Sequence, residues 1–133
     1  MANYYDKYLK DEQLLHIRIK NLLCEQPNCY FFHSADEGKR SKFEQYLFLK
    51  MCGNLKKLPD FICITPNNQY RGMVLEAKRE TPFCKDGRLK AGEHLEKQQQ
   101  TLMVFSEMGW LSTFVWDFFQ AQNIIYNYFQ DVK

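Results

Sequence analysis

The chain has 133 residues, 45% of them apolar and 16% aromatic, and its 18 basic and 16 acidic side chains leave a net charge of +2. That is enough chain for one domain (residues 1–133) with a real core, and the composition favours a globular fold over disorder. No apolar stretch approaches the length of a membrane span, and the polar, aromatic Met1 to Lys10 segment has no signal-peptide hydrophobic region, so cytoplasmic residence is the default expectation.

In chain order, the first predicted element is a helix from about Tyr8 to Cys24, with Leu15, Ile19, Leu22 and Leu23 at helical spacing. Pro27-Asn28 stops it, and Cys29 to Phe32 is a short strand candidate. Asp36-Glu37-Gly38 leads into a second helix, Lys39 to Cys52, with Phe43, Leu47 and Met51 expected inward and Gly53-Asn54 as the stop. From Pro59 the period changes. Asp60 to Thr65 and Arg71 to Lys78 read as two strands around the turn Pro66-Asn67-Asn68-Gln69-Tyr70, apolar on both faces as central strands are. Glu80 to Glu93 reads as a polar, glycine-containing loop. A third helix follows from Leu95 to Met108, ended by Gly109, then a strand from Leu111 to Trp116. Asp117 is placed to cap a last helix through Ile124, Ile125, Tyr128 and Phe129, whose aromatics suit a core or a dimer contact. Together these elements describe an α/β protein with a central mixed sheet and helices on both faces.

Five cysteines, at 24, 29, 52, 63 and 84, form no C-x-x-C pair. They fit neither a disulfide framework nor a zinc ribbon, and buried free thiols are expected. The basic residues cluster at Lys39, Arg40 and Lys42, at Lys56 and Lys57, and at Lys85, Arg88, Lys90 and Lys97. Any one cluster is an ordinary solvated face unless it borders a site.

The hairpin carries the chemistry. If Thr65 pairs with Arg71, Asp60 lies opposite Glu76 on the same face, with Cβ atoms ~5 Å apart. Lys78 shares the face of Glu76, because strand side chains alternate. Two converging carboxylates repel unless a cation sits between them. Two readings stay open on these residues alone. In one, a hard divalent ion occupies the site and Lys78 stabilises a phosphate transition state or positions the nucleophile. In the other, Lys78 neutralises both acids as an ordinary strand-end ion pair. Glu12, on the apolar face of the first helix, and Gln98, on the apolar face of the third, are inward-directed polar groups that need partners.

The order Glu…Pro-Asp…Glu-x-Lys…Gln resembles the PD-(D/E)XK nucleases, in particular the virus-type replication-repair nuclease (VRR-NUC) domain. Pro59-Asp60 resembles the P-D of that family, Glu76-Ala77-Lys78-Arg79 its E-x-K-R, and Lys97-Gln98 its E-Q, with Gly109-Trp110 at the expected distance. His33 to Arg40 resembles its H-x-x-N-E-G-K-R segment. The chain departs from the pattern at Lys57, where a glycine is usual, at Leu95-Glu96 in place of S-P, and in a longer 80–93 loop. The resemblance spans Asp11 to Phe129 and implies a restriction-endonuclease-like core. It also implies a Mg²⁺-dependent endonuclease, with Mn²⁺ able to substitute. The ligands it implies are Glu12, Asp60, Glu76 and the Ala77 carbonyl, with Lys78 catalytic and Gln98 supporting the site. His33, Lys39, Arg40, Lys57 and Arg79 become candidate DNA contacts, although His33 also suits a half-buried strand end and Glu37 a helix N-terminus. Stand-alone members resemble junction-cleaving dimers, so branched DNA of the Holliday-junction kind is the expected substrate and a homodimer the expected state. A DNA-repair role and a virus- or phage-encoded protein acting in its host fit the family. The alternative from another class is a non-catalytic DNA- or partner-binding module that keeps the fold.

Overall fold

Asn3 opens the chain with a separate turn: its side chain accepts from the Tyr5 amide at 2.9 Å, and Asp6 Oδ2 accepts the Asn3 amide at 2.8 Å. The resulting 3-10 turn over Tyr4–Tyr8 ends before the first long helix, so α1 spans Asp11–Glu25 and begins later than its apolar spacing suggests. The computed structural model describes residues 3–34, 41–51, 53–55 and 57–130. Four strands follow α1: β1 (Phe31–His33), β2 (Phe61–Cys63), β3 (Met73–Ala77) and β4 (Leu111–Val115), ordered β1-β2-β3-β4 across one sheet. The first two pairings are antiparallel and the β3–β4 pairing is parallel. A parallel neighbour requires a crossover, and α3 (Glu93–Glu107) lies within it.

Strand alternation sorts the core into two layers. Phe61, Cys63, Met73, Leu75 and Ala77 join Leu15, Ile19, Leu22 and Leu23 of α1 and Ala121, Ile125 and Tyr128 of α4 (Phe118–Gln130). Ile62, Val74 and Phe114 face the other way, onto Leu102 of α3. Both faces of β2 and β3 are therefore covered, as their apolar runs required. Asp117 caps α4, its Oδ2 accepting the Gln120 amide at 3.1 Å. The hydroxyl of Tyr128 donates to the Thr65 carbonyl in the core, and burial pushes that phenol well above its ordinary pKa.

Three expectations need correction. The second helix forms, as α2 (Lys42–Met51), but none of its residues is buried. Phe43, expected inward, is 69% exposed and Met51 73%, with Leu47 exposed as well. The core formed by α1 and α4 on one sheet face and by α3 on the other takes no residue from α2. The thiols are not uniformly buried: Cys63 is, Cys29 is partly so, and Cys24 and Cys84 are exposed. Cys52 lies outside the described residues. Finally, the 80–93 segment is more than a polar loop. Phe83 bridges to Leu89 around Gly87, whose φ of +87° suits glycine, and Phe83 packs edge-on against Phe114 and Trp116.

Candidate active site

The observed β2–β3 register pairs Phe61 with Leu75, Ile62 with Val74 and Cys63 with Met73. Extended by one step it sets Asp60 opposite Glu76, the arrangement the turn geometry predicted. Both acids are buried, at 8% and 5% exposure. Each is tied to the other's strand: the Asp60 amide donates to Glu76 Oε2 at 3.1 Å, and the Ala77 amide donates to Asp60 Oδ2 at 2.9 Å. Ser34, just beyond β1, pins the same bend by donating from Oγ to the Pro59 carbonyl at 2.6 Å and from its amide to the Asp60 carbonyl at 2.9 Å.

The helices complete the cluster from opposite faces of the sheet. From α3, Gln98 donates through Nε2 to Glu76 Oε1 at 2.7 Å. From α1, His16 brings Nε2 to 3.6 Å from Asp60 Oδ2 and to 3.9 Å from Glu12 Oε1, one turn earlier on the same helix. His16 Nδ1 lies 2.8 Å from Nε2 of His33, and the His33 ring packs on Phe61 at 4.8 Å between centroids. Beside this cluster an open cleft of about 410 Å³ is lined by Glu12, Lys78, Arg79, Glu80, Thr81, Pro82, Lys90 and Leu95.

Electrostatics sharpen the picture. Burial, and next the charge of Asp60, raise the Glu76 carboxyl to about 8, with Lys78 partly offsetting them. Burial followed by the charges of Lys78, Lys57 and Lys97 holds His94, at the start of α3, below the usual imidazole range. A positive rim therefore borders two acids that are costly to ionise together.

Whether this donor set suits a divalent cation is tested by its unmet polar atoms. His16 Nε2 and Gln98 Oε1 are buried without a hydrogen-bond partner among the described residues. One ligand-type atom each from His16, His33 and Asp60 lie within 4.8 Å of one another. Carboxylates repelling at close quarters beside a bare imidazole nitrogen are the chemistry of a cation site, so the residues fit one.

Of the residues singled out in the sequence, the geometry brings Asp60, Glu76, Gln98 and the Ala77 amide into direct hydrogen bonding, with Glu12 on the periphery and Lys78 at the cleft. His33 ends β1 beside Asp60, Arg79 lines the cleft, and Lys57 is exposed on the approach to Pro59. Glu37, Lys39 and Arg40 lie outside the described residues. The sequence reading missed His16. Its only mark in the sequence is its place one helical turn after Glu12 and beside Leu15, which does not single it out.

No protein-family model matches this sequence, and no curated protein matches it. A solved structure does: one described as a VRR_NUC domain protein aligns with 94% of this chain and 94% of its own, with a TM-score of 0.64 and 14% sequence identity. At that identity the likeness shows the fold alone. The chain is an α/β protein that shares its fold with that VRR_NUC domain protein.

Proposed function

We propose that the chain is a metal-dependent endonuclease that hydrolyses DNA phosphodiesters, the whole chain acting as one nuclease domain. The observation that carries this reading is the buried Asp60–Glu76 pair at the end of the hairpin, braced by Gln98 and opening beside a cleft rimmed with Lys78 and Arg79. Glu12, Asp60, Glu76 and the Ala77 carbonyl are the proposed ligands. Oxygen donors of this kind suit Mg²⁺, with Mn²⁺ as a substitute. A cation held there supplies Lewis-acid neutralisation of charge building on the scissile phosphate and eases deprotonation of water. In the reaction a water oxygen bonds to phosphorus and gives up a proton, one P–O ester bond breaks, and the released alkoxide takes up a proton.

The protein's own groups do the rest. Lys78 places a positive charge at the cleft, where it stabilises the phosphate oxygens or positions the attacking water. Gln98 holds Glu76 Oε1 through Nε2, which leaves its own Oε1 free to accept from a water. Asp60 is fixed by the Ala77 amide, so its carboxylate is preorganised before substrate arrives. Lys57, Arg79 and His33 border the site and are proposed DNA contacts, together with Lys39 and Arg40. The exposed apolar face of α2 supports a homodimer, and two symmetric sites suit the paired cuts of a branched, Holliday-junction-like substrate. A role in DNA repair, for a protein encoded by a virus or phage and acting in the host cytoplasm, is the reading that the family resemblance supports.

The test is cleavage of single-stranded, duplex, flap and four-way DNA with Mg²⁺, Mn²⁺ or Ca²⁺. Asp60→Ala, Glu76→Ala and Lys78→Ala are each expected to lower turnover by ~100-fold or more with the circular-dichroism spectrum unchanged. Gln98→Ala is expected to cost less, ~10–100-fold, while its effect on stability stays near 1–3 kcal/mol. Near-wild-type cleavage by any of the first three variants would remove the assignment. DNA binding without any cleavage by the wild type would leave a non-catalytic module.

A further inference from the structure

We infer that His16 is itself a metal ligand, binding through Nε2 alongside Glu12 and Asp60, so that the site prefers a borderline first-row cation such as Mn²⁺ over Mg²⁺. The inference deepens the proposed nuclease reading and uses two of its carboxylates.

The geometry runs through the two ring nitrogens. At 2.8 Å, His16 Nδ1 and His33 Nε2 share one proton. If the proton sits on His16 Nδ1, that N–H donates to His33 and the lone pair of His16 is left on Nε2. This is the outer-shell arrangement that fixes the tautomer of metal-binding histidines. His33 is then the positioning residue, held in place by its packing on Phe61. The bare Nε2 has no hydrogen-bond partner among the described residues although it is buried. It points into the space between Asp60 Oδ2 at 3.6 Å and Glu12 Oε1 at 3.9 Å.

Donor atoms bonded to one first-row cation at ~2.0–2.2 Å stand roughly 3 to 3.5 Å from each other. The two separations from His16 Nε2 exceed that by only a few tenths of an ångström, within the reach of small rotamer changes in Glu12 and His16. Nitrogen ligation decides the metal class. Mg²⁺ takes oxygen and dehydrates reluctantly, whereas imidazole suits first-row transition ions.

Pulsed EPR of the full chain loaded with less than one equivalent of Mn²⁺ tests this without reference to activity. Strong ¹⁴N modulation from a directly bound imidazole is expected in the wild type. It should be lost in His16→Gln and retained in His94→Gln, which controls for the histidine at the start of α3. Titration by the free Mn²⁺ signal should show His16→Gln binding ~10-fold or more weaker, and Mg²⁺ displacing Mn²⁺ more readily from that variant than from the wild type. Mn²⁺ bound without ¹⁴N modulation in the wild type overturns the inference, as does modulation that survives His16→Gln, and so does an absence of Mn²⁺ binding. Because the wild-type spectrum is decisive by itself, a poorly folded variant does not blunt the test. Parallel cleavage assays separate the two readings. Imidazole-ligated Mn²⁺ without DNA cleavage removes the nuclease and leaves the metal site, while Mg²⁺-driven cleavage without ¹⁴N modulation does the reverse.

Discussion

Glu76 concentrates the chemistry of the molecule at one carboxyl group. Its pKa of about 8, against an ordinary 4.5, comes from burial first and the Asp60 charge second. Between those two values the folded chain holds a proton that the unfolded chain has released. The folded state therefore binds more protons, and stability falls as pH rises through that window. Below it both states are protonated, and above it both are ionised and the full penalty stands. The cation-free protein is thus expected to lose melting temperature steadily from about pH 5 to pH 8, and Glu76→Gln to flatten that slope. Thermal melts across the range check both, and a slope unchanged in Glu76→Gln would relocate the titration elsewhere. A bound cation replaces the proton, so calorimetry near neutral pH in buffers of different ionisation enthalpy should register net proton release.

At the scale of elements, the hairpin was legible because one physical constraint over-determines it. Turn chemistry at Pro66 to Tyr70 sets the register, and Asn67 enforces it by accepting the amides of Gln69 and Tyr70 at 2.9 and 2.6 Å. Once the register is known, Asp60 must face Glu76. Gln98 was legible from its place between Leu95 and Leu102 on the apolar face of α3. His16 was not, because a helical histidine beside Leu15 has no distinguishing period, and only the fold brings it to Asp60. The apolar spacing of α2 announced a helix but not what covers it, since spacing says nothing about which sheet faces are already occupied. One backbone contact also lay beyond sequence reasoning. A Cβ added at Gly72 would stand 2.2 Å from Trp110 Cζ3, so this glycine exists to let the indole lie on the backbone leading into β3. Gly72→Ala is expected to destabilise the fold by about 1–3 kcal/mol. Pairing it with Trp110→Ala should cost less than the sum of the two single changes, measured as a double-mutant cycle in denaturant.

At the scale of the whole molecule, α2 is the unresolved debt. Phe43, Tyr46, Leu47, Leu49 and Met51 are all exposed on ten residues of helix. Exposed apolar side chains in that number suit an interaction site. Under the proposed dimer this face is where the copies meet, and replacing Phe43 and Met51 with serine should convert dimer to monomer in sedimentation experiments at micromolar protein. A wild-type monomer would discard that arrangement while leaving the single-site nuclease intact. The described residues contain no helix long and apolar enough to cross a membrane, so α2 is not a candidate for one.

The sheet mixes a local antiparallel hairpin with a distant parallel strand, and this bears on the order of folding. Cys63 meets Met73 across one short turn, whereas Met73 meets Leu111 only after the whole α3 crossover has been threaded. Local pairs close with the smaller loss of chain entropy, so β2 and β3 should associate before β4 arrives. Asp60 and Glu76 should thereby be brought together early, so that when both are ionised their repulsion opposes the rate-limiting step. A divalent ion should then act mainly on the way in. Stopped-flow chevrons with and without Mn²⁺ are expected to show a faster refolding limb and a nearly unchanged unfolding limb. The opposite pattern would mean that the acids meet only after the barrier, when β4 has already docked.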